Sequence, residues 1–175
     1  LPAQNAAHAQ EAADGATVLE TITVTARKRK EDIRNVPASI DVETAESLEE
    51  KRALDGQAVM RDVSGASVGT FGDRSNGFIV MRGVAPILTP LSPDDSSVLT
   101  FIDGAPLPLG GSFSSSYLDL DRVEILKGPQ NTLFGRNTSG GAINLIPAEP
   151  THDFHGSVRG EFGNDGIYRT ETMLN

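Results

Sequence analysis

Apolar residues occur along this chain in short bursts, separated by long polar stretches, and the bursts follow two different periods. Residues 1–19 are Ala-rich and polar with no period at all, which predicts a disordered arm. Within it, Ala7-His8-Ala9 before Gln10 has the small-x-small form of a signal-peptidase site. Residues 1–9 are therefore read as the tail of a signal peptide, with a chance match in an Ala-rich arm as the competing account. Positions 20–26 read ETITVTA, where Ile22 and Val24 alternate with Thr21, Thr23 and Thr25. The β-branched residues give this island strand propensity, but no neighbouring strand is close by. Arg27, Lys28, Arg29 and Lys30 then precede Glu31 and Asp32, so 20–35 reads as an extended, solvated tether carrying one adhesive segment.

The compact part begins near Val36-Pro37, with a first strand at 38–42. Thr44 caps a short helix through about Lys51, and Asp55 caps a second with Val59 and Val63 four residues apart on one face. Gly65 ends that helix. Strand-like runs follow at 66–70, 78–81, 98–102, 123–126 and 142–146, separated by Gly-, Ser- and Pro-rich loops. The pattern predicts a small mixed α+β domain over 36–150, with a sheet of about four strands and short helices.

The tail changes character. From 154 to 162, Phe154, Gly156, Val158, Gly160 and Phe162 point one way, while His155, Ser157, Arg159 and Glu161 point the other. This repeat lasts ~10 residues, the length of a transmembrane β-strand. Gly163-Asn164-Asp165-Gly166 is turn chemistry, and Tyr168, Thr170, Thr172 and Leu174 begin a second, weaker alternation. Residues 151–175 thus read as a linker and the first hairpin of a β-barrel whose remaining strands lie outside this sequence. A hairpin alone cannot satisfy its edges in lipid.

Composition narrows the chemistry. Hydrophobic residues make up 38% and aromatics 5% of the 175, Trp is absent, and Gly 18 with Pro 10 implies many turns, so any core relies on small aliphatic side chains. The formal net charge of −9 argues against a nucleic-acid partner, which needs a basic face. Cys is absent, which removes disulfides and Cys-based metal or redox sites. The longest uncharged run, 104–118, is broken by Pro106, Pro108, Gly and Ser, and does not read as a membrane helix.

Three motif matches are set aside. Gly65-Ala66-Ser67-Val68-Gly69 has the spacing of a nucleophile elbow, but Ser67 leads into a Gly-rich loop where a helix is required. His152 and His155 with Asp153 have a metal-like spacing without a further ligand, so no metal is assigned. Gly135 to Gly140 has phosphate-loop spacing, but Gly141 stands where the lysine must be. No catalytic residue and no cofactor is assigned, and the chain is not read as an enzyme.

Three passages together resemble the TonB-dependent outer-membrane receptor family, in its usual order. ETITVTA looks like a TonB box. FIVMRGV at 78–84 and LTFIDGAPL at 99–107 look like the family's Ile-Arg-Gly and Asp-Gly segments. DLDRVEILKGPQNTLFGRNTSGGAINLI at 119–146 resembles the plug signature nearly position by position, departing from it only after Asn144. The physics of that last passage fits: Val123 and Ile125 alternate with Arg122 and Glu124, Gly128-Pro129 ends the strand, and Gly135, Gly140 and Gly141 permit a tight return. That reading gives a rigid strand–turn–strand unit with its polar face outward.

The resemblance implies a plug that gates an outer-membrane importer of a siderophore or other iron complex, with its N-terminus in the periplasm. Glu20, Thr21, Ile22, Thr23, Val24, Thr25 and Ala26 would bind TonB. Arg82 and Lys127, with Glu124 nearby, would meet carboxylates of the receptor's own barrel, Lys127 as a point charge where the family often has Arg. Loops at 69–77, 85–97 and 106–117 would form the apex facing an extracellular small molecule, through Arg74, Asn76, Asp94, Asp95, Ser112, Phe113 and Tyr117. The alternatives are a free-standing periplasmic adaptor, against which the alternating tail speaks, and a small serine hydrolase using Ser67.

Overall fold

The computed structural model describes residues 22–25, 29–53, 55–70, 77–86, 96–107, 117, 119–154, 156–166 and 168–174. Two short strands come first, β1 (Thr23–Val24) and β2 (Glu31–Asp32), followed by a 3-10 turn at Ile33–Asn35. Next are β3 (Ser39–Thr44), α1 (Ala45–Glu50), α2 (Gly56–Met60), β4 (Ala66–Thr70) and β5 (Gly77–Met81). Then come β6 (Val98–Ile102), β7 (Ala105–Pro106), β8 (Leu120–Lys127), α3 (Asn131–Phe134) and β9 (Gly141–Pro147). The chain ends in β10 (Gly156–Phe162) and β11 (Tyr168–Leu174), joined through a 3-10 turn at Asn164–Gly166.

The central sheet has the order β3-β8-β9-β6-β7. β8 pairs antiparallel with β3 and β9, while β6 lies parallel to β9. Five strands stand where about four were expected. The addition is β7, a two-residue return that the sequence left inside a loop. Separate two-stranded units are β1-β2, β4-β5 and β10-β11.

Because side chains alternate across a strand, the register sorts this sheet into two faces. On one lie Val98, Val123, Ile125, Ile143 and Leu145, packed with Leu48, Val59, Met60 and Val63 from the helical stretch and with Met81 of β5. We call this the helix face. The other carries the rows Ile40–Leu126–Ala142–Leu99 and Val42–Glu124–Asn144–Phe101. It is covered by Val24, Ile33 and Val36, which arrive from the N-terminal segment, and by Phe134 of α3, whose ring lies 4.9 Å from that of Phe101. This is the strap face. The expected outward polar face of β8 is therefore buried: residues 22–25 and 29–36 lie over it, and Glu124 is 0% exposed.

Capping follows the sequence closely. Thr44 accepts from the Ser47 N–H and Asp55 from the Ala58 N–H, giving each short helix the side-chain acceptor its first turn needs. Arg82-Gly83 and Asp103-Gly104 both adopt positive φ, at 51° and 78° and at 49° and 78°. These are two-residue hairpin turns whose twist matches that of the strands they join. The Met81 and Val84 backbones hydrogen-bond each other across the first.

At the β3–α1 corner, Lys51 Nζ donates to both Glu43 carboxylate oxygens at 2.7 and 2.9 Å, and Ser47 Oγ donates as well. Partial burial works against the charge on Glu43, but these donors outweigh it and hold its carboxyl below the ordinary value of 4.5. A carboxylate depressed in the folded state adds stability above its unfolded value, and that stability disappears as pH falls through the folded one. In an NMR titration, Glu43 is expected to protonate below its ordinary value, and Lys51→Ala is expected to move its midpoint upward. An unmoved midpoint in the variant would remove Lys51 as the cause.

Candidate functional site

The N-terminal segment is docked, not free. Val24 is 0% exposed, seated among Val36, Phe101, Leu126 and Ala142. β1 pairs with β2 through Thr23↔Asp32 and Val24↔Glu31, and the Ile33 N–H donates to the Ile22 carbonyl at 3.1 Å. This corrects the expectation of a solvated tether without a neighbouring strand: Glu31–Asp32 supply a pairing partner. Glu20, Thr21 and Ala26 lie outside the described residues, as does the arm at 1–19.

Next to Val24, Thr25 donates to Glu124 Oε1 from its backbone nitrogen at 2.7 Å and from its hydroxyl at 3.0 Å. Arg122 Nε reaches the same oxygen at 2.9 Å. Arg122 Nη2 and Asn144 Nδ2 each stand 3.5 Å from the Thr25 hydroxyl. Glu124 Oε2 and Asn144 Oδ1 remain buried without a hydrogen-bond partner among the described residues. Glu124, expected near a plug–barrel contact, thus turns inward and serves the N-terminal segment.

The two cations expected beside it have different surroundings. Lys127 lies on the helix face and pairs with Asp41 at 2.5 Å, its side chain mostly buried. Arg82 projects from its hairpin turn exposed to solvent and has no ion-pair partner among the described residues. Its backbone N–H donates to the Gly65 carbonyl at 2.7 Å, which fixes the turn while leaving the guanidinium outside.

Of the residues expected at the apex, Arg74, Asn76, Asp94, Asp95, Ser112 and Phe113 lie outside the described residues. Tyr117 is described, and it is a core residue. It packs with Leu48, Ala53 and Leu120 at 7% exposure, so little of its surface is open to a ligand. Burial, and then the nearby Asp55 carboxylate, push its phenol well above the ordinary value. Ser67 sits within β4 opposite Val80, in a strand and not at a strand-to-helix elbow. His155 lies outside the described residues, and no group of metal-ligating side chains occurs among those described.

The hairpin shows the expected division of faces. Phe162 pairs across it with Tyr168 and Val158 with Thr172 on one side, Arg159 with Glu171 on the other. Arg159 also reaches Glu49 of α1 at 3.4 Å, across a cleft of about 300 Å³ lined by Leu48, Tyr117, Asp121 and Glu171. Sequence reasoning missed Glu49, because nothing on so short a helix marks which exposed acid a later strand will meet.

The strand–turn–strand unit closes as its glycines allow. The Gly128 N–H donates to the Gly140 carbonyl and the Gln130 N–H to the Thr138 carbonyl, both at 2.9 Å. The buried Thr138 hydroxyl donates to the Gly135 carbonyl at 2.7 Å. Over residues 32–142 the chain matches the family model described as TonB-dependent Receptor Plug Domain.

The chain belongs to the TonB-dependent receptor plug domain family.

The plug and its hairpin are 30% identical over 168 residues to the ferrichrome outer membrane transporter/phage receptor of Escherichia coli (strain K12), covering 92% of this chain and 21% of that protein. Identity is 32% over 145 residues to the ferripyoverdine receptor of Pseudomonas aeruginosa, covering 79% and 16%. Among solved structures, the ferric yersiniabactin uptake receptor FyuA from Yersinia pestis aligns with a TM-score of 0.69 and 26% identity, covering 78% of this chain and 21% of that one. The chain spans about a fifth of the length of these first curated relatives.

Inside the plug signature, Gly141 is the tightest position. A Cβ there would run into the Leu126 carbonyl oxygen and the Met81 sulfur. Gly141→Ala is expected to lower plug stability by about 1–3 kcal/mol, the usual range for overpacking. The urea midpoint followed by circular dichroism reads this, and an unchanged midpoint would mean that the β8–β9 ladder yields freely.

Proposed function

We propose that this chain is the gate of an outer-membrane β-barrel importer that takes up a siderophore or other iron complex, driven from the periplasm through TonB. The observation that carries the reading is the joining, in one chain, of a plug-family sheet to a hairpin with an open apolar face. Phe154, Val158, Phe162, Tyr168 and Leu174 are 71–84% exposed, on a hairpin whose opposite side carries Arg159 and Glu171. A soluble domain has no use for such a surface, whereas a lipid-facing barrel wall with a polar lumen does. The iron-complex class rests on the relatives, which are named for ferrichrome and ferripyoverdine. No described helix is long and apolar enough to cross a membrane, which has no bearing on crossing by strands.

In this reading Glu20 to Ala26 add as a strand to a sheet edge of TonB, with main-chain hydrogen bonds supplying affinity. Ile22→Pro in the complete receptor removes a donor and breaks extended pairing. It is expected to abolish TonB binding and uptake while ligand binding at the cell surface persists. Uptake at the normal rate with TonB still bound would overturn the coupling role.

Arg82 is the cation best placed for a partner on the barrel wall, because it is exposed and unpaired among the described residues. Lys127 can add to that contact only by sharing itself with Asp41. Arg82→Glu would set like charges against barrel carboxylates and is expected to loosen the plug, read as greater sensitivity of cells to a bulky antibiotic. Arg82→Lys should stay close to the parent. Equal sensitivity of both variants and the parent would remove the ionic contact.

A further inference from the structure

We propose that Arg159 ties the C-terminal hairpin to helix α1 of the plug, and that Glu171 competes with Glu49 for it, which makes the tie releasable. Calling the hairpin barrel wall rests on the function proposed above; the competition itself rests on the geometry of three side chains.

The polarity is opposite to that expected at Arg82, since here the cation belongs to the hairpin and the acid to the plug. Arg159 Nη2 stands 3.4 Å from Glu49 Oε1, and Arg159 Nη1 stands 3.8 Å from Glu171 Oε2. One guanidinium thus lies between two carboxylates, one on each side of the seam. A charge-assisted contact at its best is shorter than either distance, so Arg159 is fully engaged with neither acid. Glu171 is also its register partner across the hairpin. Rotation about the arginine's own side-chain bonds is enough to carry it from one acid to the other, and no strand has to slide.

The two acids are not alike. Glu49 is exposed on a short helix, where water replaces a departing guanidinium. Glu171 is 9% exposed, and both of its carboxylate oxygens are buried without a hydrogen-bond partner among the described residues. Arg169, the other cation beside it, keeps its Nε 3.8 Å away. A buried carboxylate that accepts no hydrogen bond has lost its water without compensation. Full engagement by Arg159 would supply that compensation, and holding Arg159 toward Glu49 withholds it. Both acids line the cleft of about 300 Å³ between α1 and the hairpin, which leaves the guanidinium room to turn. The hairpin therefore opposes its own grip on the plug: when α1 withdraws, Arg159 closes on Glu171.

The test follows hydrogen exchange of the backbone over residues 45–53 by mass spectrometry, in the complete receptor in outer membranes. Arg159→Gln removes the tie and is expected to speed exchange about two- to fivefold, the scale of a solvent-accessible ion pair. Glu171→Gln removes the competitor and is expected to slow exchange by a similar factor. Both substitutions leave the sequence of α1 untouched. Together they should exchange like Arg159→Gln alone, because Glu171 acts through Arg159. Glu49→Gln lies on the plug, so it tests the tie even if a hairpin substitution disturbs the barrel, and it should match Arg159→Gln. Unchanged exchange in Arg159→Gln or in Glu49→Gln would overturn the tie. Exchange in Glu171→Gln as fast as in the parent, or faster, would overturn the competition, as would slower exchange in the double variant than in Arg159→Gln. Labelling of Val158→Cys by a water-soluble maleimide examines the barrel-wall reading separately. Rapid labelling there ends that reading and leaves the order of exchange rates standing; slow labelling with the order broken ends the tie alone.

Discussion

A sheet with apolar rows on both faces has to be covered twice, and this requirement organises the plug. The helix face is covered by what is near in sequence, since α1 and α2 follow β3 directly and bring Leu48, Val59 and Met60 over Val123, Ile125 and Ile143. The strap face has no helix layer of comparable size. Its cover comes from α3 at one end and from residues 22–25 and 29–36, which contribute Val24, Ile33 and Val36. The N-terminal segment is thus a structural layer of the domain as well as a tether.

The buried acid makes sense only within that layer. A buried carboxylate opposite Val42, beside the apolar row of Leu126, is costly unless donors come to it. Here the donors are Arg122 and the segment itself. The covering layer and the charge depend on each other: the segment needs an anchor among weak apolar contacts, and the carboxylate needs the segment's N–H. Lys127, one position beyond Leu126, faces the other way and is matched by Asp41. Of the two cations expected at the barrel wall, Arg82, held out on its hairpin turn, is the one without an ion-pair partner among the described residues.

What the sequence made legible was local. The caps at Thr44 and Asp55, the strands at 66–70 and 98–102 and the alternation of the hairpin depend on neighbours within a few residues, which a linear reading sees. The hairpin turn that produces β7 was present as Asp103-Gly104, a strong turn signal, and was absorbed into a loop because so short a strand shows no period. The docking of Val24 and the burial of Glu124 could not be read. Thr25 and Glu124 are 99 positions apart, and a β-branched island with alternating threonines looks the same whether it is docked or free. Tyr117 misled for the opposite reason: a Ser- and Gly-rich neighbourhood suggested an exposed loop, while the ring itself reaches back into the core.

In the function proposed above, a layer that also acts as a coupling strand cannot be held too firmly. Burying one valine contributes about 1.5–3 kcal/mol, and each of the two Thr25 hydrogen bonds to the Glu124 carboxylate about as much again, 1.5–3 kcal/mol. Ordering the backbone of residues 22–25 costs roughly 1–2 kcal/mol each. The two sides nearly cancel, so the contacts that anchor the segment hold it only by a small margin, with β2 and Val36 completing the strap. A small margin is what an equilibrium between docked and released forms needs, because each 1.4 kcal/mol shifts it about tenfold. A longer β1 or a second buried aliphatic would lock the segment down, and without the Glu124 contact the sheet would lie bare on one side. The two-residue strand and the single buried carboxylate sit between those limits.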